Sequence, residues 1–237
     1  FSYMSHELKT PVNSISGFTQ LLRRGAYGEL TPKQAGAVDR IHHNAYELIH
    51  LINNILDLAK LESGKKGLQV MEVNLRELTE KVLMIFEPLF QEKGLYLRKE
   101  IEPGFPECFL TDPMQVRSIL TNLLSNAVKF THRGEVRLRL GRRVERQEVL
   151  LEVSDTGVGI EPAHLDKIFE EYEQRVVVRE VKGKYIEGTG LGLAIVKKMV
   201  AALAGRIEVA STPGRGTTFT ILFPERLPNE LIYPIPK

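Results

Sequence analysis

Residues 149–160 have the sequence Val-Leu-Leu-Glu-Val-Ser-Asp-Thr-Gly-Val-Gly-Ile, in which a short apolar run leads into a carboxylate and two glycines. The run Val149–Val153 is typical of a β-strand. Similar strand-like runs lie on both sides of it, at Leu95–Ile101, Glu135–Leu140, Arg206–Ala210 and Thr217–Phe223. Helical patterns fall between some of them, at Leu75–Phe90, Pro113–Phe130 and Leu191–Leu203. This order predicts an α/β two-layer sandwich, a mixed sheet covered by helices on one face.

The first 66 residues have a different, purely helical pattern. A first helix is indicated by Leu8, Val12, Ile15, Leu21 and Leu22, and a second begins at Thr31-Pro32 and ends near Ser63. The second helix carries a heptad seam of Val38, Ile41, Ala45, Leu48, Ile52, Ile55 and Ala59. One helical hairpin cannot bury so long an apolar stripe, so we expect two copies to form a dimeric four-helix bundle. The predicted domains are therefore 1–66 and 67–237.

Composition excludes several classes of protein. The 237 residues include 32 Lys+Arg and 30 Asp+Glu, a net charge of +2, and no basic run of the kind that binds nucleic acid. Cys108 is the single cysteine, which excludes an internal disulfide framework and a multi-cysteine metal site. No apolar run is long enough to cross a bilayer. We expect a fragment of a larger protein that lies in the cytoplasm and makes no direct membrane contact.

A second glycine segment, Gly188-Thr189-Gly190-Leu191-Gly192-Leu193, opens a helical pattern. Glycines let backbone N–H groups approach phosphates, and a helix N-terminus adds positive potential. Neither a Walker loop nor a dinucleotide-binding fingerprint is present. Asp155, at a strand end, is placed to accept a hydrogen bond from an exocyclic amine such as that of adenine. The alternative is that Asp155 only forms a turn.

The predicted helix Pro113–Phe130 carries two asparagines on one face. Asn122 and Asn126 are four residues apart, and Lys129 follows on the same side. Asparagine is a poor helix former, so this pairing calls for an explanation. Amide oxygens suit Mg²⁺ and lysine suits phosphate, although a partly solvated face with local hydrogen bonds would look similar.

Taken together, these segments resemble the catalytic core of the sensor histidine kinases of two-component systems. An H-box is similar to Phe1–Val12 and an N-box to Asn122–Thr131. Two glycine boxes resemble Asp155–Gly159 and Gly188–Gly192, an F-box resembles Ile168–Glu170, and a final G-x-G-T resembles Gly214–Thr217. The F-box continues with Glu171-Tyr172 where the family usually has Pro-Phe. The resemblance covers nearly the whole chain, with the motifs in the family's order.

The resemblance implies a protein-histidine kinase. His6 would take the γ-phosphoryl group of ATP, with Glu7 beside it to accept a proton, and pass it to an aspartate of a response regulator. Thr10 would position a water that dephosphorylates the partner, or would only bond its own backbone. The alternatives are an ATPase of the related chaperone and topoisomerase class and a nucleotide-binding scaffold without phosphotransfer. That ATPase class has a glutamate where this chain has Asn122, which is a poor base.

The same resemblance assigns the nucleotide site to the second domain. Asn126 would bind Mg²⁺ with support from Asn122, Lys129 would contact phosphate, and Phe130 would stack on adenine or belong to the core. Asp155 would bind the adenine amine, with help from Thr217 through a water. Arg175 would reach the γ-phosphate from a lid at 173–187. The pocket and the lid hinges would be shaped by the two glycine segments, through Gly157, Gly159, Gly188, Gly190, Leu191 and Gly192.

Overall fold

The computed structural model describes residues 2–63, 68–170 and 190–228. Contacts divide the chain into two compact units, Phe1–Lys65 and Lys66–Lys237. No described helix is long and apolar enough to cross a membrane.

The first unit is a helical hairpin of α1 (Ser2–Arg23) and α2 (Pro32–Ser63). Gly25 and Gly28 both have positive φ in the connecting turn, where a side chain would be strained. The start of α2 is capped as the sequence predicts, since the backbone N–H of Gln34 donates to Thr31 Oγ1. The residues buried between the two helices include Val12, Ala45, Ile52 and Leu56.

Only part of the predicted seam is covered within one chain. Ile41 and Leu48 of α2 remain 48% and 43% exposed, while Val38 and Ala45, which alternate with them along the seam, are buried. On α1, Ile15 and Phe18 are also exposed. The hairpin therefore has apolar side chains on both helices that its own fold does not cover.

The second unit is the predicted mixed sheet with helices on one face. Its elements are, in chain order, β1 (Met71–Val73), α3 (Leu75–Lys93), β2 (Tyr96–Ile101), β3 (Phe109–Thr111), α4 (Pro113–Phe130), β4 (Glu135–Arg143), β5 (Glu148–Asp155), α5 (Gly192–Ala202), β6 (Arg206–Thr212) and β7 (Gly216–Pro224). Single 3₁₀ turns cover Val144–Arg146 and Pro162–His164. The five-stranded sheet has the order β2-β4-β5-β7-β6, parallel only between β2 and β4. The fold class predicted from the sequence is confirmed.

Alternation along the strands explains why the helices cover one face. On β4, Val136, Leu138 and Leu140 are fully buried on the side of the helices. The residues between them point the other way, where Arg137 and Arg139 both pair with Glu152 of β5 at 3.1 and 3.6 Å. A charged face of this kind needs no covering layer.

The structure corrects the predicted element list in two respects. It contains a second, two-stranded antiparallel sheet of β1 and β3 that the sequence analysis missed. Most of the predicted boundaries in this unit also shift by one to three residues; for example, Leu95–Ile101 becomes Tyr96–Ile101 and Leu191–Leu203 becomes Gly192–Ala202. Leu95 instead lies buried just before its strand, where its N–H donates to Phe90 O and ends α3.

Asp112 fixes the start of α4, the helix that carries the two asparagines. Its Oδ1 accepts the N–H groups of Met114 at 2.9 Å and Gln115 at 3.2 Å, and its Oδ2 accepts the N–H of Gln69 at 2.9 Å. We expect Asp112→Ala to lower the free energy of unfolding by about 2 kcal/mol, because a buried cap of three N–H groups is lost. Calorimetric melting of the full chain measures this loss.

A matched variant on the same helix is Arg117→Ala, which changes an exposed side chain one turn later. It should change stability by less than about 0.5 kcal/mol. Equal losses for the two variants would contradict the role of the cap.

Candidate functional site: a nucleotide cavity in the second unit

A mostly apolar cavity of about 50 Å³ lies between the sheet and the helices of the second unit. Its polar side chains are Asn126 of α4 and Thr217 of β7. The remaining lining residues are Phe130, Val158, Gly159, Ile160, Ile168, Leu193 and Phe219. A small apolar cleft with a few polar groups suits a flat aromatic ligand such as a nucleotide base.

Asp155 lies beside the polar end of this cavity, at the last residue of β5. The ladder pairs it directly with Thr217 on β7. Its Oδ1 accepts the N–H of Gly157 at 2.8 Å, and its carboxyl group also accepts the backbone N–H of Thr217. Burial raises the pKa of Asp155 to about 6, against the lowering effect of these two hydrogen bonds. The protein thus holds a poorly solvated hydrogen-bond acceptor at this point.

Three glycines make room for the backbone around Asp155. A Cβ on Gly157 would lie 2.4 Å from the carbonyl oxygen of Phe130, and one on Gly216 would lie 1.9 Å from the carbonyl oxygen of Asp155. A Cβ on Gly159 would meet Thr212 O at 2.1 Å. The first glycine segment is therefore packed against both α4 and the β6–β7 turn, which explains why side chains are excluded there.

The end of α4 is joined to the first glycine segment by the backbone. The N–H of Val158 donates to Phe130 O at 3.2 Å. Lys93, the last residue of α3, places its ammonium group 2.6 Å from Val128 O, one of the last carbonyls of α4. Burial, and then the nearby charge of Lys129, lower the pKa of Lys93. Lys93 thus fixes the end of the helix that carries Lys129 and Phe130.

The two asparagines of α4 have different surroundings. Asn126 lines the cavity and is half-buried. Asn122 is buried, and its Nδ2 donates to Ser118 O at 2.9 Å. A Cβ on Gly192 would lie 3.0 Å from Asn122 Oδ1, so this amide oxygen faces the start of α5. Both amide oxygens are of the kind that Mg²⁺ accepts as ligands.

The second glycine segment is described from Gly190 onwards. Gly190 has a φ of +68°, Leu191 is buried, and α5 begins at Gly192. No described side chain caps this helix start. Gly188 and Arg175 lie outside the described residues, as does the proposed lid at 173–187. Among the described residues, no cluster of three or more His, Cys, Asp or Glu could hold a metal ion.

The phosphoacceptor motif lies in the other unit. The backbone of His6 and Glu7 belongs to α1, but their side chains lie outside the described part of the chain. Thr10 is exposed, and its carbonyl oxygen accepts a hydrogen bond from the hydroxyl of Ser14 at 3.0 Å. The helix continues through Pro11 without interruption.

Several residues of the site were not assigned any role from the sequence. Ile160, Leu193 and Phe219 line the cavity, and Ile168 does so from the F-box. Phe169 packs edge-on against Phe219, with ring centroids 6.4 Å apart. The F-box motif was a usable signal for Ile168 and Phe169. The others look like ordinary core residues in the sequence.

Two family models match this chain, one in each unit. Residues 1–64 match the model of the His Kinase A (phospho-acceptor) domain. Residues 111–227 match that of the histidine kinase-, DNA gyrase B-, and HSP90-like ATPases. The chain belongs to the sensor histidine kinase family. The order of its two matched domains is the one that the H-box, N-box and glycine boxes indicate.

Two relatives of this histidine kinase chain show how much of a longer protein it matches. It is 38% identical over 235 residues to the circadian input-output histidine kinase CikA of Synechococcus elongatus, covering 98% of this chain and 30% of the relative. It is also 38% identical over 221 residues to the sensor protein GacS of Pseudomonas syringae, covering 92% of this chain and 24% of GacS. The chain thus spans less than a third of the length of these relatives.

A solved structure of the family has the same fold. The crystal structure of full-length ShkA in complex with AMPPNP matches with a TM-score of 0.70 and 30% identity, covering 98% of this chain and 46% of that one. The histidine kinase AdeS of Acinetobacter baumannii, at 23% identity and a TM-score of 0.63, shares the fold.

Proposed function

We propose that this chain is an ATP-dependent protein-histidine kinase that phosphorylates His6 and passes the group to an aspartate of a response regulator. The observation that carries the proposal is the cavity of the second unit, which Asn126 and Thr217 line, with the partly buried Asp155 paired to Thr217 across the strand ladder. A base in this cavity would meet Asp155 through its exocyclic amine. Phe130 lines the cavity and so supports the base-stacking role over a purely structural one.

The transfer itself needs placement more than covalent chemistry from the protein. A ring nitrogen of His6 would form a bond to the γ-phosphorus while the bond from that phosphorus to the bridging oxygen of ADP breaks. Glu7 would accept the proton released from the other ring nitrogen. Asn126 and Asn122 would hold a magnesium ion, which neutralises phosphate charge. Lys129 would contact the phosphates, and Arg175 and Gly188 are further phosphate contacts that we propose from the motifs.

The residue one turn before Asn126 favours transfer over hydrolysis. Asn122 is buried and its amide already donates to Ser118 O. An amide cannot take a proton from an attacking water, so this position cannot serve as the base of an efficient ATPase. Thr10 is proposed to position the water for dephosphorylation of the partner, since its place on α1 is one turn after His6.

We also propose that the chain acts as a homodimer through its helical hairpin. Ile15 and Phe18 of α1 and Ile41 and Leu48 of α2 are large apolar residues left exposed by the single hairpin. A second hairpin would cover them and complete a four-helix bundle.

Labelling with γ-³²P-ATP and Mg²⁺ tests the proposed function. We expect an acid-labile, base-stable label on the wild type and none on His6→Gln, because the proposed phosphoacceptor is the His6 ring nitrogen and a glutamine amide is not nucleophilic enough to replace it. Asn126→Ala should also stay unlabelled, since the metal ligand is lost. His132→Gln, which changes an exposed histidine after α4, is the matched control and should label normally.

The other outcomes identify the alternatives. Release of free phosphate without labelled protein would favour the ATPase. A protein that binds ADP but neither becomes labelled nor releases phosphate would favour the scaffold. Label that persists in His6→Gln would contradict the assignment of the phosphoacceptor.

A further inference from the structure

Ser211 of β6 makes three hydrogen bonds beside the cavity, and no motif of the family resemblance includes it. Its Oγ accepts the N–H of Ile160 at 2.8 Å and lies 2.9 Å from the carbonyl oxygen of Gly216. It also lies 2.9 Å from the Oγ1 of Thr217, its partner across the ladder. Ser211 thus links the first glycine segment, the β6–β7 turn and the polar end of the cavity.

Only one arrangement of protons makes a hydrogen bond of each of the three contacts around Ser211. A carbonyl oxygen cannot donate, so the single hydroxyl proton of Ser211 goes to Gly216 O. The N–H of Ile160 occupies one lone pair of Ser211 Oγ. The contact between the two hydroxyl groups is then a hydrogen bond in which Thr217 donates to the remaining lone pair of Ser211.

This arrangement determines what Thr217 presents to the cavity. Its hydroxyl proton is bound to Ser211, so only lone pairs are left for a ligand. Thr217 is 6% exposed and lines the cavity, and Asp155, its partner on β5, carries an acceptor-only carboxylate when ionised. The Thr217 hydroxyl in the cavity and the Asp155 carboxylate on the neighbouring strand are therefore both acceptors. They favour a base edge that donates, and they oppose one that carries a carbonyl oxygen.

We infer that Ser211 is a positioning residue for base selection, which holds the Thr217 hydroxyl as an acceptor and so discriminates 6-amino-purine from 6-oxo-purine nucleotides. This inference rests on the proposed nucleotide function. The close approach of Gly159 to Thr212 O and Pro213 keeps the end of β6 in place against the first glycine segment. Ser211 therefore has little freedom to change its partners.

The test measures affinities of ADP, IDP and purine riboside diphosphate, which carry at position 6 an amine, a carbonyl and hydrogen, respectively. Wild type and Ser211→Ala are compared by calorimetric titration. In Ser211→Ala the Thr217 hydroxyl can rotate and donate to a 6-carbonyl. The preference for ADP over IDP should fall about tenfold, with the ratio of ADP to purine riboside diphosphate nearly unchanged.

A merely structural role gives a different result. Loss of the acceptor for Ile160 N–H would loosen the first glycine segment and weaken all three ligands by a similar factor. An unchanged ADP-to-IDP ratio in Ser211→Ala therefore overturns the inference. Ser211→Thr restores a hydroxyl at this position and should restore the wild-type ratio; failure to do so, in a folded variant, also counts against it.

Thr217→Val keeps the test decisive if Ser211→Ala does not fold. Valine matches threonine in shape and lacks the acceptor, so the ratio should again fall, and an unchanged ratio overturns the inference. If the wild type binds ADP and is labelled on His6, but the ADP-to-IDP affinity ratio does not change in the variants, only the role of Ser211 is disproved. If the wild type neither binds ADP nor becomes labelled, the proposed function is disproved together with the role of Ser211.

Discussion

Asp155→Asn should make the protein more stable and its nucleotide binding much weaker. Burial raises the pKa of Asp155 from its ordinary value of 3.8 to about 6. Holding this carboxyl ionised in the folded state therefore costs about 3 kcal/mol at pH 8. Asparagine keeps an oxygen for the N–H groups of Gly157 and Thr217 and carries no charge. The variant should gain up to that amount in free energy of unfolding.

The sign of the pH dependence follows from the raised pKa. Between about pH 4 and pH 6 the folded protein binds a proton at Asp155 that the unfolded chain binds less well, so this group's contribution to stability increases as the pH falls. The gain of Asp155→Asn over wild type should therefore be full at pH 8 and disappear towards pH 4. Calorimetric melting at both pH values measures it, using the transition that shifts with added ADP.

Nucleotide affinity should change in the opposite direction. An exocyclic amine would lose a charge-assisted hydrogen bond and meet an amide instead, so we expect ADP affinity to fall roughly 30- to 100-fold. Asp166→Asn, at an exposed position of the same unit, should change neither quantity. A variant that is no more stable than wild type at pH 8 would contradict the cost of the buried carboxylate. Unchanged ADP affinity would remove the proposed contact with the base.

Gly216→Ala should be among the most destabilising single substitutions in the second unit. Gly216 has a φ of +108°, and a Cβ there would lie 1.9 Å from the carbonyl oxygen of Asp155 and 2.8 Å from the Cα of Thr156. Both neighbours are backbone, so β5 and β7 would have to separate. We expect a loss of roughly 3–5 kcal/mol, from the strained φ together with the steric overlap.

Gly214→Ala separates the two contributions. Gly214 lies in the same turn with a φ of +74°, and a Cβ there meets nothing within 4 Å. It should cost only the backbone strain, about 1–2 kcal/mol. Equal losses in calorimetric melting would mean that the close approach of β7 to Asp155 is not maintained in solution. A larger loss for Gly216→Ala should be accompanied by weaker ADP binding, because the pairing of Asp155 with Thr217 is displaced.

The glycines around Asp155 and the raised pKa of its carboxyl group are therefore connected. Gly157 and Gly216 leave room for backbone to pack closely around Asp155, and burial of its carboxyl group raises its pKa. The poorly solvated carboxylate lowers the stability of the folded protein. For the same reason it is a strong hydrogen-bond acceptor before any ligand binds. The same crowding places Ser211 within hydrogen-bond distance of Thr217.

Helices and strands that depend on neighbours along the chain could be predicted before the structure was known. Pro113–Phe130 was predicted to the residue, because apolar periodicity and an N-terminal proline are local signals. The long helix from Pro32 to Ser63 and all five strands of the main sheet were predicted for the same reason. The motif residues Asn126, Phe130, Gly159 and Thr217 do line one cavity.

Contacts between residues from distant parts of the chain could not be predicted in this way. The strands β1 and β3 are three residues long, too short to show a periodic pattern, and they exist because they pair with each other. Lys93 lies 35 positions from the carbonyl that it contacts, and Ser211 lies 51 positions from Ile160. The glycines packed around Asp155 come from two stretches that are separate in the sequence, Gly157 with Gly159 and the later Gly216. Local periodicity specifies each helix and strand, whereas register and packing between them set the contacts, and these are properties of the folded chain as a whole.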